Sequence, residues 1–291
     1  LVIIAISFLL YALFGRFMPG LLAHNGLSLE QLIHTMFYTT NGILGTPLGV
    51  SSTFIFLFIL FGAFLMQTGV GNYFNDLAIS IAGRRTGGPA KVAIFTSALE
   101  GTISGSSVAN VVQSGSYTIP MMKRLGYDKN FAGAVEAAAS TGGQIMPPIM
   151  GAAAFLMIEF AGVPYIEIIK AAVIPAILYF SGIWIMTHFE AKRIGLKGLP
   201  KEQIPPKLEV LKKIYLLFPI IIIIVLMDAG MSIARAALWG IISTVVVSLF
   251  RKDTRINLNK FFTALKDGAR NALGVAAATA CAGIIVGVVT K

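Results

Sequence analysis

The sequence predicts an all-α polytopic membrane protein, and three observations carry that expectation. Apolar residues make up 56% of the 291 positions and charged residues only 12%, roughly half the charged share that a soluble domain carries. Uncharged apolar runs recur along the chain, among them Ser52–Met66, Ala171–Met186, Ile214–Met227 and Ala236–Phe250; at 1.5 Å rise per residue, about 20 residues cross the hydrocarbon core. Two further apolar segments are interrupted by polar motifs, Gly101-Thr-Ile-Ser-Gly-Ser-Ser-Val-Ala-Asn110 and Ser140-Thr-Gly-Gly-Gln-Ile-Met-Pro-Pro148. Nothing in lipid satisfies a free backbone N–H or C=O, so such breaks are tolerated only where they line a protein or water cavity. A pair of interrupted hydrophobic segments is the best sequence pointer to a transporter binding site.

The net charge of +10 does not indicate nucleic acid, because Lys and Arg cluster between the apolar runs as the positive-inside rule requires of cytoplasmic loops. Enzyme signatures are missing. There is no phosphate-loop motif, and the Gly- and Ser-containing strings have no strand context or His partner for a nucleophile elbow. The single Cys281 permits no internal disulfide and has no ligand partner near it in sequence. His24, His34 and His188 fall near the ends of expected spans and read as interfacial residues.

Taken in order, residues 1–14 form the end of a span, followed by a loop at 15–34 with Arg16 as its sole cation. A segment over 35–69 comes next, then a basic loop with Arg84, Arg85 and Lys91. Lys123, Arg124 and Lys129 form another basic loop. Two loops of one sign flank 92–122, so that stretch enters and leaves on the same side: a re-entrant hairpin with its tip at Ser104–Ser107. Residues 131–162 then cross outward through the Pro-Pro break and 168–189 return to a basic loop at 190–213. Residues 214–227 and 236–250 cross out and back around a turn with Asp228 and Arg235. Residues 258–273 show one apolar stripe (258, 261, 262, 265, 269, 273) opposite basic residues, as in a helix lying at the interface; a span at 271–290 closes the chain. This topology puts 19 of the 23 Lys and Arg inside and three, Arg16, Lys170 and Arg235, outside, with Lys291 unassigned. A simple crossing at 92–122 would invert every later loop and destroy the bias.

The two breaks define the candidate site. Ser104, Gly105, Ser106, Ser107 and Asn110 supply hydroxyls, an amide and free half-helix carbonyls; Thr141, Gly142, Gly143, Gln144, Pro147 and Pro148 offer a similar set, with prolines that remove backbone donors. Carbonyl and hydroxyl oxygens suit a hard cation such as Na⁺, and a half-helix N-terminus suits a carboxylate. Small residues also let membrane helices pack closely, the plainer reading of the same glycines and serines. Glu100 and Glu136 are candidate coupling acids, since ionisable groups at membrane depth mark pathways or specific partners; a bond that merely fixes the hairpin is the alternative. No metal site is expected beyond Na⁺ at the same oxygens, and no cofactor.

The stretches Glu100–Asn110, Thr118-Ile-Pro-Met-Met-Lys-Arg124, Gly133–Glu136 and Ser140–Gly151 closely resemble the large membrane subunit of TRAP transporters, the tripartite ATP-independent periplasmic transporters. The phrase at 140–148 is most similar to permeases paired with TAXI-type binding proteins, in which small and large subunits are often fused. The resemblance covers essentially the whole chain. It implies an elevator-type secondary transporter of the bacterial inner membrane, coupled to Na⁺ and taking up an organic acid from a periplasmic binding protein. It also implies two inverted repeats, each with a hairpin and a broken helix. On that frame the domains are N-terminal scaffold spans at 1–82, the hairpin and broken helix at 83–163, further spans at 164–250, and at 251–291 the arm helix and the opening span of the second repeat. The second hairpin and second Pro-Pro motif are absent, so the sequence reads as an internal piece of a longer protein, with a small membrane subunit possible as an upstream fusion. The alternative is a stand-alone carboxylate or anion carrier of the same hairpin design, coupled to H⁺ or Na⁺. A passive channel would need a continuous polar stripe that the sequence lacks.

The topology is directly testable. Cysteines placed at Arg84 and Lys129 should react with an impermeant maleimide only from the cytoplasmic side, and one at Gly162 only from outside; labelling of 84 and 129 from opposite faces would exclude the hairpin.

Overall fold

The computed structural model describes residues 1–290, and all regular structure among them is helical. It divides into two compact units, one formed by Leu1–Phe56 with the C-terminal residues from Ala269, the other by Leu57–Gly268.

In the first unit, α1 (Val2–Phe14) leads to α2 (Leu29–Tyr38), whose start is set by a capping box: the Gln31 N–H donates to Ser28 Oγ (3.2 Å) and the Ser28 N–H to Gln31 Oε1 (3.0 Å). The expected loop at 15–34 is therefore partly helical, and the expected segment at 35–69 is not continuous. Thr39 is extended, and its hydroxyl both donates to the Thr35 carbonyl (2.7 Å) and accepts from the Asn41 N–H (3.2 Å), which ends α2. Pro47 then opens α3 (Thr46–Gln67), a 22-residue apolar helix with a π-turn at Ser51–Ile55. Ala12, Leu32, Met36 and Val288 form a small core here. His24 sits at the edge of that core, where its ring bridges the Tyr11 carbonyl (3.1 Å) and the Gly26 N–H (3.0 Å).

The second unit contains the hairpin and the broken helix. Gly69, left-handed at φ 81°, separates α3 from α4 (Val70–Ala82), an element for which the apolar runs give no signal. Next come α5 (Gly88–Ser104), α6 (Ser107–Gln113) and α7 (Gly115–Arg124), with α6 and α7 joined through Ser114 at helical dihedrals. The base of α5 packs against the end of α7: Ala90, Ala93, Ile94, Met122 and Tyr127 share one buried cluster. The chain thus returns to the end it left, as the charge pattern requires. At 17 residues, α5 is about 25 Å long, short of the roughly 30 Å hydrocarbon core.

Asp128 caps α8 (Lys129–Gly142) by accepting from the N–H groups of Asn130 (2.8 Å) and Phe131 (3.2 Å). A single 3₁₀ turn, Gly143–Ile145, and a further turn over 147–149 follow before α9 (Ala152–Ala161). Then α10 (Tyr165–Arg193), 29 residues long, is followed by the short α11 (Lys207–Leu211) and by α12 (Phe218–Asp228). The chain bends by 68° between the segments Lys201–Leu211 and Ile214–Asp228. α12 packs on α13 (Ile233–Ser248). Finally α14 (Leu258–Val289) is one 32-residue helix, so the expected arm and the expected final span are continuous. The stripe proposed for the interface is split by packing: Phe261 meets Phe64 edge-on at 5.2 Å and Leu265 lies against the buried Phe64–Ile256–Ala264 cluster, whereas Leu258, Phe262 and Leu273 remain exposed.

Candidate functional site

At the hairpin tip, α5 stops because Gly105 adopts a left-handed conformation (φ 57°) and its N–H donates to the Gly101 carbonyl (3.3 Å). A side chain is excluded there twice over, by the dihedral and by the Met150 carbonyl, which a Cβ would strike. Ser106 is extended and caps α6, its Oγ accepting from the Ala109 N–H (3.3 Å). Ser104 Oγ donates to Asn110 Oδ1 and accepts from the Ser106 N–H (3.2 Å). Asn110, 1% exposed, completes its bonding with Nδ2 donating to the Ser97 carbonyl (3.4 Å).

At the second break, α8 ends at Gly142 and the chain passes through Gly143–Ile145 to the cis Pro147–Pro148 bond and Met150 at φ 58°. The turn is closed by the Gly151 N–H donating to the Gln144 carbonyl (2.7 Å). The buried Tyr165 hydroxyl, at the start of α10, faces the Pro148 carbonyl (3.0 Å) and the Ile149 carbonyl, covering acceptors that the break leaves free. Tyr165 is itself held by stacking on Phe155 (4.6 Å between centroids, 15° between planes).

The two motifs, some 35–45 positions apart in sequence, converge. A Cβ on Gly101 would lie 2.5 Å from the Gly143 Cα, and one on Gly143 would lie 2.5 Å from Asn110 Nδ2. Gln144 Nε2 donates to Ser107 Oγ (2.9 Å), and Gly151 approaches the Gly105 carbonyl. Ser104, Gly105, Ser107, Asn110, Gly143 and Gln144 therefore share one place, with Ser106 as the local cap. Others stand apart from this contact. Gly142 faces the Tyr179 and Phe180 rings of α10, and exposed Thr141 donates back to the Ala137 carbonyl (2.7 Å) within its own helix. Pro147 and Pro148 shape the backbone rather than touch the tip.

The two acids differ. Glu136 is fully buried and accepts from four hydroxyls: Ser114 (2.6 Å), Ser140 (3.0 Å), Ser97 (3.3 Å) and Thr118. These donors come from α5, the α6–α7 arm and α8, so one carboxylate ties both hairpin arms to the broken helix. Glu100, 1% exposed, accepts from the Tyr117 hydroxyl (3.3 Å) on Oε1, while its Oε2 has no hydrogen-bond partner among the described residues. Neither acid forms an ion pair among them. The described residues also hold no group of three or more His, Cys, Asp or Glu side chains able to bind a metal. The donors at the breaks are hydroxyl, amide and carbonyl oxygens, the chemistry of a hard cation. Sequence reasoning missed Ser97, Ser114, Tyr117, Thr118 and Tyr165 as parts of this region. A signal existed for two of them: Ser114 and Thr118 follow Asn110 at every fourth residue, a polar stripe on one helical face.

The model of the family described as "Tripartite ATP-independent periplasmic transporter, DctM component" matches residues 1–291. The chain belongs to the DctM family. Among its relatives, this DctM chain is 29% identical to the sialic acid TRAP transporter large permease protein SiaM of Vibrio cholerae, over 57% of the chain and 39% of the relative. It is 27% identical to the C4-dicarboxylate TRAP transporter large permease protein DctM of the same organism, over 78% and 43%. The isethionate TRAP transporter permease protein DctMQ of Oleidesulfovibrio alaskensis is 30% identical over 48% and 22%. The chain spans less than half the length of each. Family and apolar helices together make it a multi-pass protein of the bacterial inner membrane.

The Gly101–Gly143 contact leaves no room for a methyl group. Gly143→Ala should separate the two breaks and lower the thermal midpoint of the purified full-length permease, by an amount equivalent to about 1–3 kcal/mol for overpacking, whereas Gly133→Ala, inside α8 where a Cβ meets nothing within 4 Å, should not lower the midpoint and should raise it slightly, since Ala is the better helix former.

Proposed function

We propose that this chain forms the first half of the permease of a binding-protein-fed secondary transporter that imports an organic acid by coupling to Na⁺. The observation that carries the reading is the convergence of the two breaks on one oxygen-rich place, built from Ser104, Ser107 and Asn110 on one side and Gly143 and Gln144 on the other. Carbonyls at the end of α5 and in the Gly143–Met146 turn add to that set, as an alkali-cation site between broken helices requires. The substrate class follows from the family and from its relatives, whose names give sialic acid, C4-dicarboxylate and isethionate. In this reading the hairpin and the broken helix, tied together through Glu136, move as one body past the scaffold spans in an elevator motion. The remaining half of the site comes from a second, inverted repeat that opens within α14.

Two partners belong to the proposal: a periplasmic binding protein and a small membrane subunit, fused in some relatives as the name DctMQ indicates. The docking rim consists of the short outer loops. Lys170 draws two of them together through Glu167 (3.1 Å) and Asp228 (3.5 Å). Such exposed pairs contribute roughly 0–1 kcal/mol each, so they set encounter and orientation more than affinity.

The test uses the full-length permease with its small subunit in vesicles. Uptake should need both an inward Na⁺ gradient and added soluble binding protein. Ser104→Ala and Asn110→Ala should each raise the half-saturating Na⁺ concentration, by about tenfold if one coordinating oxygen is worth about 1.4 kcal/mol. Asp228→Lys should lower only the apparent affinity for the binding protein. The unpartnered oxygen of Glu100 supports a second reading, H⁺ coupling; an unchanged Na⁺ titration in both oxygen variants, with uptake made insensitive to pH by Glu100→Gln, would favour it. Full-rate uptake without binding protein would favour the stand-alone carrier.

A further inference from the structure

At the cytoplasmic base of the hairpin, the start of α5 packs on the end of α10. The Leu199 N–H donates to the Gly83 carbonyl (2.7 Å), and a Cβ on Gly87 would touch Ala191 and Tyr127. This packing gathers cations without counter-charges. Lys91, only 3% exposed, has its ammonium 3.0 Å from His188 Nδ1 and 5.0 Å from the centre of the Trp184 ring. Arg85 and Lys192 lie close enough for their charges to act on it. Among the described residues, none of Lys91, Arg85 and Lys192 forms an ion pair, and the nearby Glu190 is engaged by Arg193 through two hydrogen bonds (2.7 and 2.8 Å).

The Trp184 ring under the Lys91 ammonium is also the mouth of an apolar groove of 430 Å³ between α5 and α10. Ile94, Ala98 and Leu99 line one wall, Ile177 and Ser181 the other, and the groove reaches Met146 in the second break. Along α10 it runs from Ala176 to Ile185, about 14 Å by helical rise, which is close to half the roughly 30 Å hydrocarbon core. Its outer wall is apolar and open among the described residues, with Ile177 59% and Ile185 53% exposed, surface that suits an acyl chain.

We propose that this groove binds one anionic phospholipid of the inner leaflet, with its phosphodiester against the exposed Arg85 and Lys192 and the His188 ring, the buried Lys91 adding its charge from behind, and an acyl chain lying along Trp184 towards Met146. Basic pockets between helices on the cytoplasmic side are where anionic head groups bind, and here charge, mouth and one-leaflet depth coincide. A soluble anion would use the cations but leave the groove open; a segment of protein would use the groove but leave four clustered cationic or basic groups uncompensated.

The experiment takes the full-length permease in detergent, exchanges its lipids, and measures retained phosphatidylglycerol and phosphatidylcholine by native mass spectrometry. Phosphatidylglycerol should be retained in preference, at one copy per chain, and should resist displacement by millimolar glycerol phosphate. Arg85→Ala combined with Lys192→Ala, both surface positions, should weaken phosphatidylglycerol binding roughly 30-fold, at the energy of one headgroup contact per cation. Ser181→Phe, on the exposed wall, should lower retention with every cation in place. Equal retention of the two lipids, displacement by free glycerol phosphate, or unchanged binding in either variant would overturn the proposal. None of these readouts depends on Na⁺ or on transport, so the outcome is independent of the coupling reading.

Discussion

The structure of the site rests on one close approach, Gly101 against Gly143. Two broken helices meet there with backbone on backbone, and any side chain at either position would hold them apart. Everything else at the convergence follows from that distance. Asn110 can lie over Gly143 while bonding Ser104 and the Ser97 carbonyl, and Gln144 can reach Ser107. The strong polarity of the motifs is thereby bound to their poverty in side chains. Small residues are needed for the approach, and the oxygens that remain are those of hydroxyls and main chain.

A buried carboxylate with no cation beside it is costly unless hydrogen bonds replace its lost water. Glu136 meets that condition with four hydroxyl donors drawn from three helical segments. The consequence is mechanical as well as energetic. Removing any one donor leaves three, but removing the carboxylate takes away the one acceptor that all four share; Ser114 and Thr118 can fall back on main-chain carbonyls of their own arm, so what is lost is the fastening between hairpin and broken helix. Glu100, one helical turn from the tip, accepts from Tyr117 and keeps one oxygen without a hydrogen-bond partner among the described residues. Two acids of similar burial are thus built for different duties.

Much of this was legible in the chain. The two breaks announce themselves by composition, and the hairpin follows from Arg84, Arg85 and Lys91 on one flank and Lys123, Arg124 and Lys129 on the other, a constraint that acts on topology and not on local propensity. What escaped was set by tertiary context. The Ser28–Gln31 capping box starts α2 inside a stretch read as loop, and α4 has no uncharged run long enough to register. The hub at Glu136 draws on positions 97, 114, 118 and 140, whose proximity only the packed hairpin creates. Tyr165, which covers the carbonyls of the Pro-Pro break, lies in a stretch that reads as an ordinary span boundary.

The direction of the hydrogen bonds at the tip has a further consequence. Ser104 gives its only hydroxyl proton to Asn110. That side chain therefore presents lone pairs alone to anything that arrives. Under the proposed Na⁺ coupling, such an oxygen would favour a cation over a bare carboxylate, and the positive charge would be seated before the acid.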